Sequence, residues 1–206
     1  MPDEHDRGPS RLTALRRVGR GRVALEVDGA PWRTVPDEVV VRARLALGQR
    51  LDRAVLREIR RELRRADALG QAGRALARRD VSEAGLRARL ERGGVAAPLA
   101  REATEALRRA GALDDERFSR NRARWLAERG WGDEAILATL EAEGASPDLT
   151  REAVAALDPE AERAAALVRN LAPRKAARLL SRRGFAPESV ETVVPALDVG
   201  HDPGLP

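Results

Sequence analysis

The sequence predicts an all-α architecture: three tandem three-helix repeats forming an elongated array, preceded by a small N-terminal β-hairpin/helix module. Three observations carry this. Gly94, Gly144 and Gly184 set a register in which apolar residues recur at fixed offsets. Aromatic residues make up only 2% of 206 residues while hydrophobic residues make up 43%, which suits several small Leu/Ala cores better than one broad core. A run of alternating character, "RVALEV" over 22–27, ends on Asp28-Gly29, a strong hairpin signal.

Taken from the N-terminus, residues 1–20 read as a basic flexible arm, with "RLTALRRVGRGR" carrying most of its charge. Residues 21–69 form the hairpin module. "PWRTV" over 31–35 is the return strand, and Pro36-Asp37-Glu38 opens a helix through Val39, Val41 and Leu45. Gly48 breaks that helix. Asp52 caps the next, which buries Val55, Leu56, Ile59 and Leu63 and carries Arg57, Arg60, Arg61, Arg64 and Arg65.

The repeats span 70–113, 114–158 and 159–198, followed by a tail over 199–206. Four residues before each register glycine sit Leu90, Leu140 and Leu180. Eight before sit Leu86, Ile136 and Ala176, and thirteen after sit Leu107, Leu157 and Leu197. Eighteen before sit Leu76, Leu126 and Ala166, read as core positions of each first helix. Asp80, Gly130 and Asn170, fourteen before, tolerate the left-handed backbone that a helix end often needs. Pro98, Pro147 and Pro187 fall where third helices begin, and Ser146 is placed to cap the one at Pro147.

The second repeat opens on "LDDERFSRNRARWLAERGWG", residues 113–132. Asp114 or Asp115 can cap its first helix, and Glu116 favours the positive helix end. Helical spacing assigns Phe118, Trp125 and Leu126 to the core. Arg117, Arg120 and Arg124 line the opposite side, with Glu116 able to pair with Arg120. Gly130 ends the helix, and Trp131 reads as a lid on the core.

Arginine supplies all but one of the 38 basic residues, Lys175 being the exception. Arginine suits carboxylates, phosphates and stacked planes, although a GC-rich genome also favours it over lysine. Net charge is +5 over 1–69, +4 over 70–113, −5 over 114–158 and +1 over 159–206. Such polarity fits a partner that mixes acidic protein surface with phosphate. With no cysteine, disulfides and thiolate chemistry are excluded. His5 and His201 fall in predicted tails, Lys175 lies in no phosphate loop, and no glycine-rich dinucleotide turn follows a strand. Catalysis, cofactors and bound metals are therefore not expected. No apolar run suggests a membrane span and the N-terminus has no apolar signal core, so a cytoplasmic protein is expected.

"ALARRDVSEAGLRARLERGGV" (75–95), "GALDDERFSRNRARWLAERGWGDEAILATLEAEG" (111–144) and "LLSRRGFAPESVETVV" (179–194) resemble the three tandem repeats of the RecX family, regulators of the RecA recombinase. The hairpin module resembles one found ahead of the repeats in many members. The resemblance covers roughly 20–197 and is most specific in "LDDERF…RGWG". It implies a non-enzymatic monomer that lies in the groove of the RecA–DNA filament and modulates it, usually by inhibition, in recombination, DNA repair and the SOS response. Where the family often has proline and basic residues after Arg-Gly-Trp-Gly, this chain has Asp133 and Glu134. The arginines expected to meet the filament or its single-stranded DNA are Arg78, Arg79, Arg108, Arg109, Arg117, Arg120, Arg124, Arg182 and Arg183. The competing expectation is a DNA-binding or transcription protein that uses one repeat as a helix-turn-helix. Residues that read adenine are scarce, however, and Asn121 sits on the first helix of its repeat rather than after a turn.

Overall fold

The computed structural model describes residues 10–199. Residues 1–9 of the expected arm and 200–206 of the expected tail, with His5 and His201, lie outside the described residues. The chain divides into two compact units, one of residues up to 75 together with 90–103, the other of 76–89 together with 104 onward.

In the first unit, strands β1 (Leu12–Arg17), β2 (Arg22–Val27) and β3 (Ala30–Pro36) form an antiparallel sheet in the order β1-β2-β3. The strand β1 corrects the expectation of a flexible arm over 1–20. Leu12 is fully buried and pairs with Val27, and Leu15 pairs with Leu25. Because β1 is an edge strand, Arg16 and Arg17 stay exposed. The Asp28-Gly29 turn is as expected: φ is 51° at Asp28 and 79° at Gly29, the positive pair that a type I′ turn needs. Asp28 also ties the turn to β1, since its carboxylate accepts from the Arg11 N–H at 2.8 Å. That hydrogen bond holds the Asp28 carboxyl below the usual range.

Helix α1 (Asp37–Arg42) is shorter than expected and does not reach Leu45. Arg44 turns left-handed at φ 50°, and Val41 is left exposed while Val39 and Leu45 are buried. Helix α2 (Arg53–Leu76) is capped by Asp52, which accepts from the Ala54 and Val55 N–H groups at 2.8 and 2.9 Å. It runs uninterrupted through the boundary expected at 69–70 and lays Ile59, Leu63 and Ala66 on the sheet core of Leu12, Leu25 and Val35.

Helices α3 (Glu83–Arg92) and α4 (Ala97–Arg109) contribute to both units. The second unit continues with α5 (Asp115–Glu128), α6 (Asp133–Ala142), α7 (Pro147–Ala155), α8 (Glu160–Val168), α9 (Pro173–Arg182) and α10 (Pro187–Val199). The glycine register is realised in backbone geometry. Gly94, Gly144 and Gly184 adopt φ of 87°, 91° and 71°. The next residue in each case donates to the register leucine: Val95 to Leu90 at 3.0 Å, Ala145 to Leu140 at 3.0 Å, Phe185 to Leu180 at 3.2 Å. Leu86, Ile136 and Ala176 are fully buried, as are the register leucines to within 2%. In the second unit one small core gathers around Phe118, Leu126, Ile136 and Leu140, and another around Val168, Leu180 and Phe185.

Three expectations fail locally. Ala166 is exposed, because α8 turns Ala164 and Val168 inward instead. Asp80 and Asn170 do not adopt the left-handed backbone that Gly130 does. Helix α4 begins one residue ahead of Pro98, whereas Pro147 and Pro187 do start α7 and α10.

Candidate functional site

The "LDDERF" acids divide their work. Asp114 caps α5, accepting from the Arg117 N–H at 2.9 Å. Asp115 instead reaches α3 and accepts from the Glu83 N–H at 2.7 Å. One repeat later Glu160, in the first turn of α8, accepts from the Asp133 N–H that opens α6, again at 2.7 Å. The glycine turns dock on the same helix starts. A Cβ on Gly144 would press on Ala84 and Gly85, and one on Gly184 would press on Ala135. A Cβ on Gly132 would overlap the Gly184 carbonyl and the Phe185 N–H. An acid and a bare turn thus lock successive helix starts, and fix α5 and its side chains in place.

The exposed face of α5 carries the arginines in question. Arg117 lies 3.8 Å from Asp114, and Arg120 pairs with Glu116. Arg124 is exposed and makes no ion pair among the described residues. Trp125 joins this face, correcting its assignment to the core: it is 41% exposed. Its ring packs against two guanidiniums, Arg122 at 4.5 Å and Arg129 at 3.5 Å. Arg122 is itself held by a two-point pair with Glu143, at 2.6 and 2.9 Å. The indole is thus held in a fixed orientation at the surface. Asn121 is exposed on the same helix, away from any turn.

The remaining expected site residues differ in availability. Arg78 and Arg79 are exposed between α2 and α3, with no ion pair among the described residues. Arg108 grips Glu105 through two hydrogen bonds at 2.9 Å and also lies 3.8 Å from Glu83. Arg109 shares Glu105 at 3.5 Å. These contacts hold the Glu105 carboxyl below its ordinary range. Arg182 is exposed and donates only to the Arg178 carbonyl of its own helix. Arg183 serves the fold itself, donating to the Arg129 carbonyl at 2.6 Å and standing 5.4 Å over the ring of Trp131. Trp131 is half-buried against the Phe118–Leu126 core, as a lid would be.

At the junction behind α5, Asp133 is paired with Arg163, which also donates to the Trp131 carbonyl at 3.1 Å. Burial nonetheless pushes the Asp133 carboxyl above its ordinary value, against the pull of Arg163. Asp133, which follows the Arg-Gly-Trp-Gly motif here, thus belongs to an internal junction, whereas Glu134 is exposed. Among the described residues no group of three or more His, Asp or Glu is arranged to hold a metal ion. No helix among them is long and apolar enough to cross a membrane.

One cluster was absent from the expected site. Arg53, Arg57, Arg60 and Arg64 form an exposed row on α2, and its signal was already present in the i, i+4, i+7, i+11 spacing.

A small sheet, short helices joined by equivalent glycine turns, and charged helix faces define a mainly helical protein with arginine-rich surfaces. Known proteins of this class resemble the chain in sequence and in fold. The chain is 38% identical over 97 residues to the regulatory protein RecX of Syntrophotalea carbinolica, covering 47% of this chain and 63% of that one. It is 35% identical over 136 residues to the regulatory protein RecX of Deinococcus radiodurans, covering 61% and 65%. The match thus spans a little under two thirds of each curated relative. In fold it is similar to a crystal structure of regulatory protein RecX, with a TM-score of 0.77 at 20% identity over 89% of this chain and 98% of the other. It is also similar to RecX from Lactobacillus salivarius, with a TM-score of 0.60 at 15% identity over 66% and 97%. No family model matches the chain. Over the matched stretches the chain is similar in sequence to proteins named regulatory protein RecX, and it shares the fold of RecX crystal structures.

Proposed function

We propose that the chain is a non-enzymatic, cytoplasmic regulator of the RecA recombinase that binds the RecA–DNA filament as a monomer and inhibits it. The observation that carries this reading is the sequence match to proteins named regulatory protein RecX. Geometry supplies the contact. The α5 face presents Arg117, Arg120, Arg124 and Trp125 from a helix fixed at both ends by its neighbours. Tryptophan and arginine are among the residues that most often anchor interfaces, and this pair sits in the stretch 114–158, whose net charge is −5. Such a face favours a directed contact to a RecA carboxylate or a filament phosphate over general coating of DNA. Arg78, Arg79, Arg108, Arg109, Arg182 and Arg183 would extend the contact, with Arg183 acting mainly by holding Trp131 and the end of α5.

Binding to the RecA–ssDNA filament, to RecA alone and to ssDNA alone, each across a salt series, tests the reading. The filament should be bound more tightly than either component at every salt concentration. Equal affinity for filament and naked ssDNA would contradict it.

A further inference from the structure

Helix α2 has a second, different arginine array. Arg53, Arg57, Arg60 and Arg64 recur at i, i+4, i+7 and i+11. With 3.6 residues per turn they fall within an arc of about 60° and along about 16 Å of the helix axis. All four are exposed, and none makes an ion pair among the described residues. The acids near them are committed elsewhere or stand apart. Glu58 pairs with Arg61 at 2.6 Å. Glu62, 4% exposed, takes Arg42 at 2.8 Å and Arg61 at 3.2 Å. Glu102 takes Arg65. Asp67, one turn beyond Arg64, makes no pair with it.

Four like charges one turn apart repel one another and weaken the helix that carries them. The opposite side of α2 is anchored on the sheet through Ile59, Leu63 and Ala66, so the row is held straight and faces away from the core. A straight, evenly spaced row of uncompensated guanidiniums complements a polymer with evenly spaced negative charge. The surrounding N-terminal third, net +5 over 1–69, favours the same partner.

We propose that Arg53, Arg57, Arg60 and Arg64 form a binding site for the phosphate backbone of single-stranded nucleic acid, independent of base sequence. A flexible single strand can lie along a straight row, whereas each strand of a duplex winds away from it. The site deepens the filament reading by giving the chain a DNA contact distinct from the α5 face, but its test needs no RecA.

The full chain is titrated against a fluorescently labelled oligo-dT of about 20 nucleotides across a salt series, followed by anisotropy. The Arg53→Gln/Arg57→Gln/Arg60→Gln/Arg64→Gln variant keeps helix-forming side chains. It should bind at least about tenfold more weakly at 0.1 M salt. The slope of log affinity against log salt should also shrink by about 2 to 3, since each lost single-strand phosphate contact removes about 0.7. The double variant Arg60→Gln/Arg64→Gln should lose about half of that slope and serves if the fourfold variant does not fold. Unchanged slope in a folded variant, or no binding of the oligonucleotide by the wild-type chain, overturns the proposal. So does an equal loss with a duplex of the same length bound equally well, or displacement of the oligonucleotide by poly-glutamate at matched charge. If the α2 row fails while the filament is still bound selectively, only this proposal is lost.

Discussion

Two arginine-rich helices, α2 and α5, differ in where their acids went. On α2 the row Arg53, Arg57, Arg60 and Arg64 has no acid partner among the described residues, because Glu58 and Glu62 serve Arg61 and Arg42. On α5 Arg117 and Arg120 sit beside Asp114 and Glu116, Arg124 is free of ion pairs among the described residues, and Trp125 stands among them between two guanidiniums. The number of arginines in a stretch therefore says little about its field; the spacing of acids decides it. A bare row favours a polyanion of any sequence, while a partly neutralised face with a fixed aromatic favours a shaped partner.

The largest expected effect bears on what holds α5 in place. Leu140 is fully buried beneath it, so Leu140→Ala should cost about 2–5 kcal/mol, read as a lowered unfolding midpoint in denaturant. No shift would mean that the α5 face does not rest on the register leucine. A smaller cost is expected from Gly184→Ala. Its Cβ would press on Ala135 from a left-handed backbone at φ 71°, and such overpacking costs about 1–3 kcal/mol. Gly94→Ala meets nothing within 4 Å and bears only the strain of φ 87°, so it should cost less, and the reverse order would undo the docked-turn account. The smallest effect sharpens the contrast in charge. Glu116→Gln releases Arg120 from its partner and should raise filament affinity by a few-fold, about 1 kcal/mol or less for an exposed pair. Weaker binding after that substitution would show that Glu116, not Arg120, faces the partner.

What could be read from the sequence was local. Asp28-Gly29, the three register glycines and the Ser146 cap each announce a backbone need that a few residues satisfy alone; Ser146 accepts from the Leu149 N–H at 3.4 Å. Strand β1 could not be read, because Arg16 and Arg17 made it resemble a solvated arm and only its pairing with β2 defines it. The place of Trp125 was ambiguous for a geometric reason. The buried arc of α5 runs through Phe118, Leu126 and Ala123, and Trp125 lies about 100° from Leu126, on the far side of Phe118. Spacing from Phe118 alone admits either neighbour. The second acid of "LDDERF" looked like a spare cap; its real partner, the Glu83 N–H, lies 32 residues away in sequence. The α2 row was visible as a run of arginines, but only the structure shows that the acids among them are committed to others.

The proposed engagement of the RecA filament by the α5 face is best tested by titrating wild-type chain and the Arg117→Ala/Arg120→Ala/Arg124→Ala variant into RecA-catalysed strand exchange on preformed filaments. The three side chains are exposed, so the variant should melt as the wild type does. The wild type should inhibit, and the variant should need at least about tenfold more protein, the effect of losing roughly 1.4 kcal/mol of binding. A variant that folds normally and inhibits at the wild-type concentration would contradict that engagement.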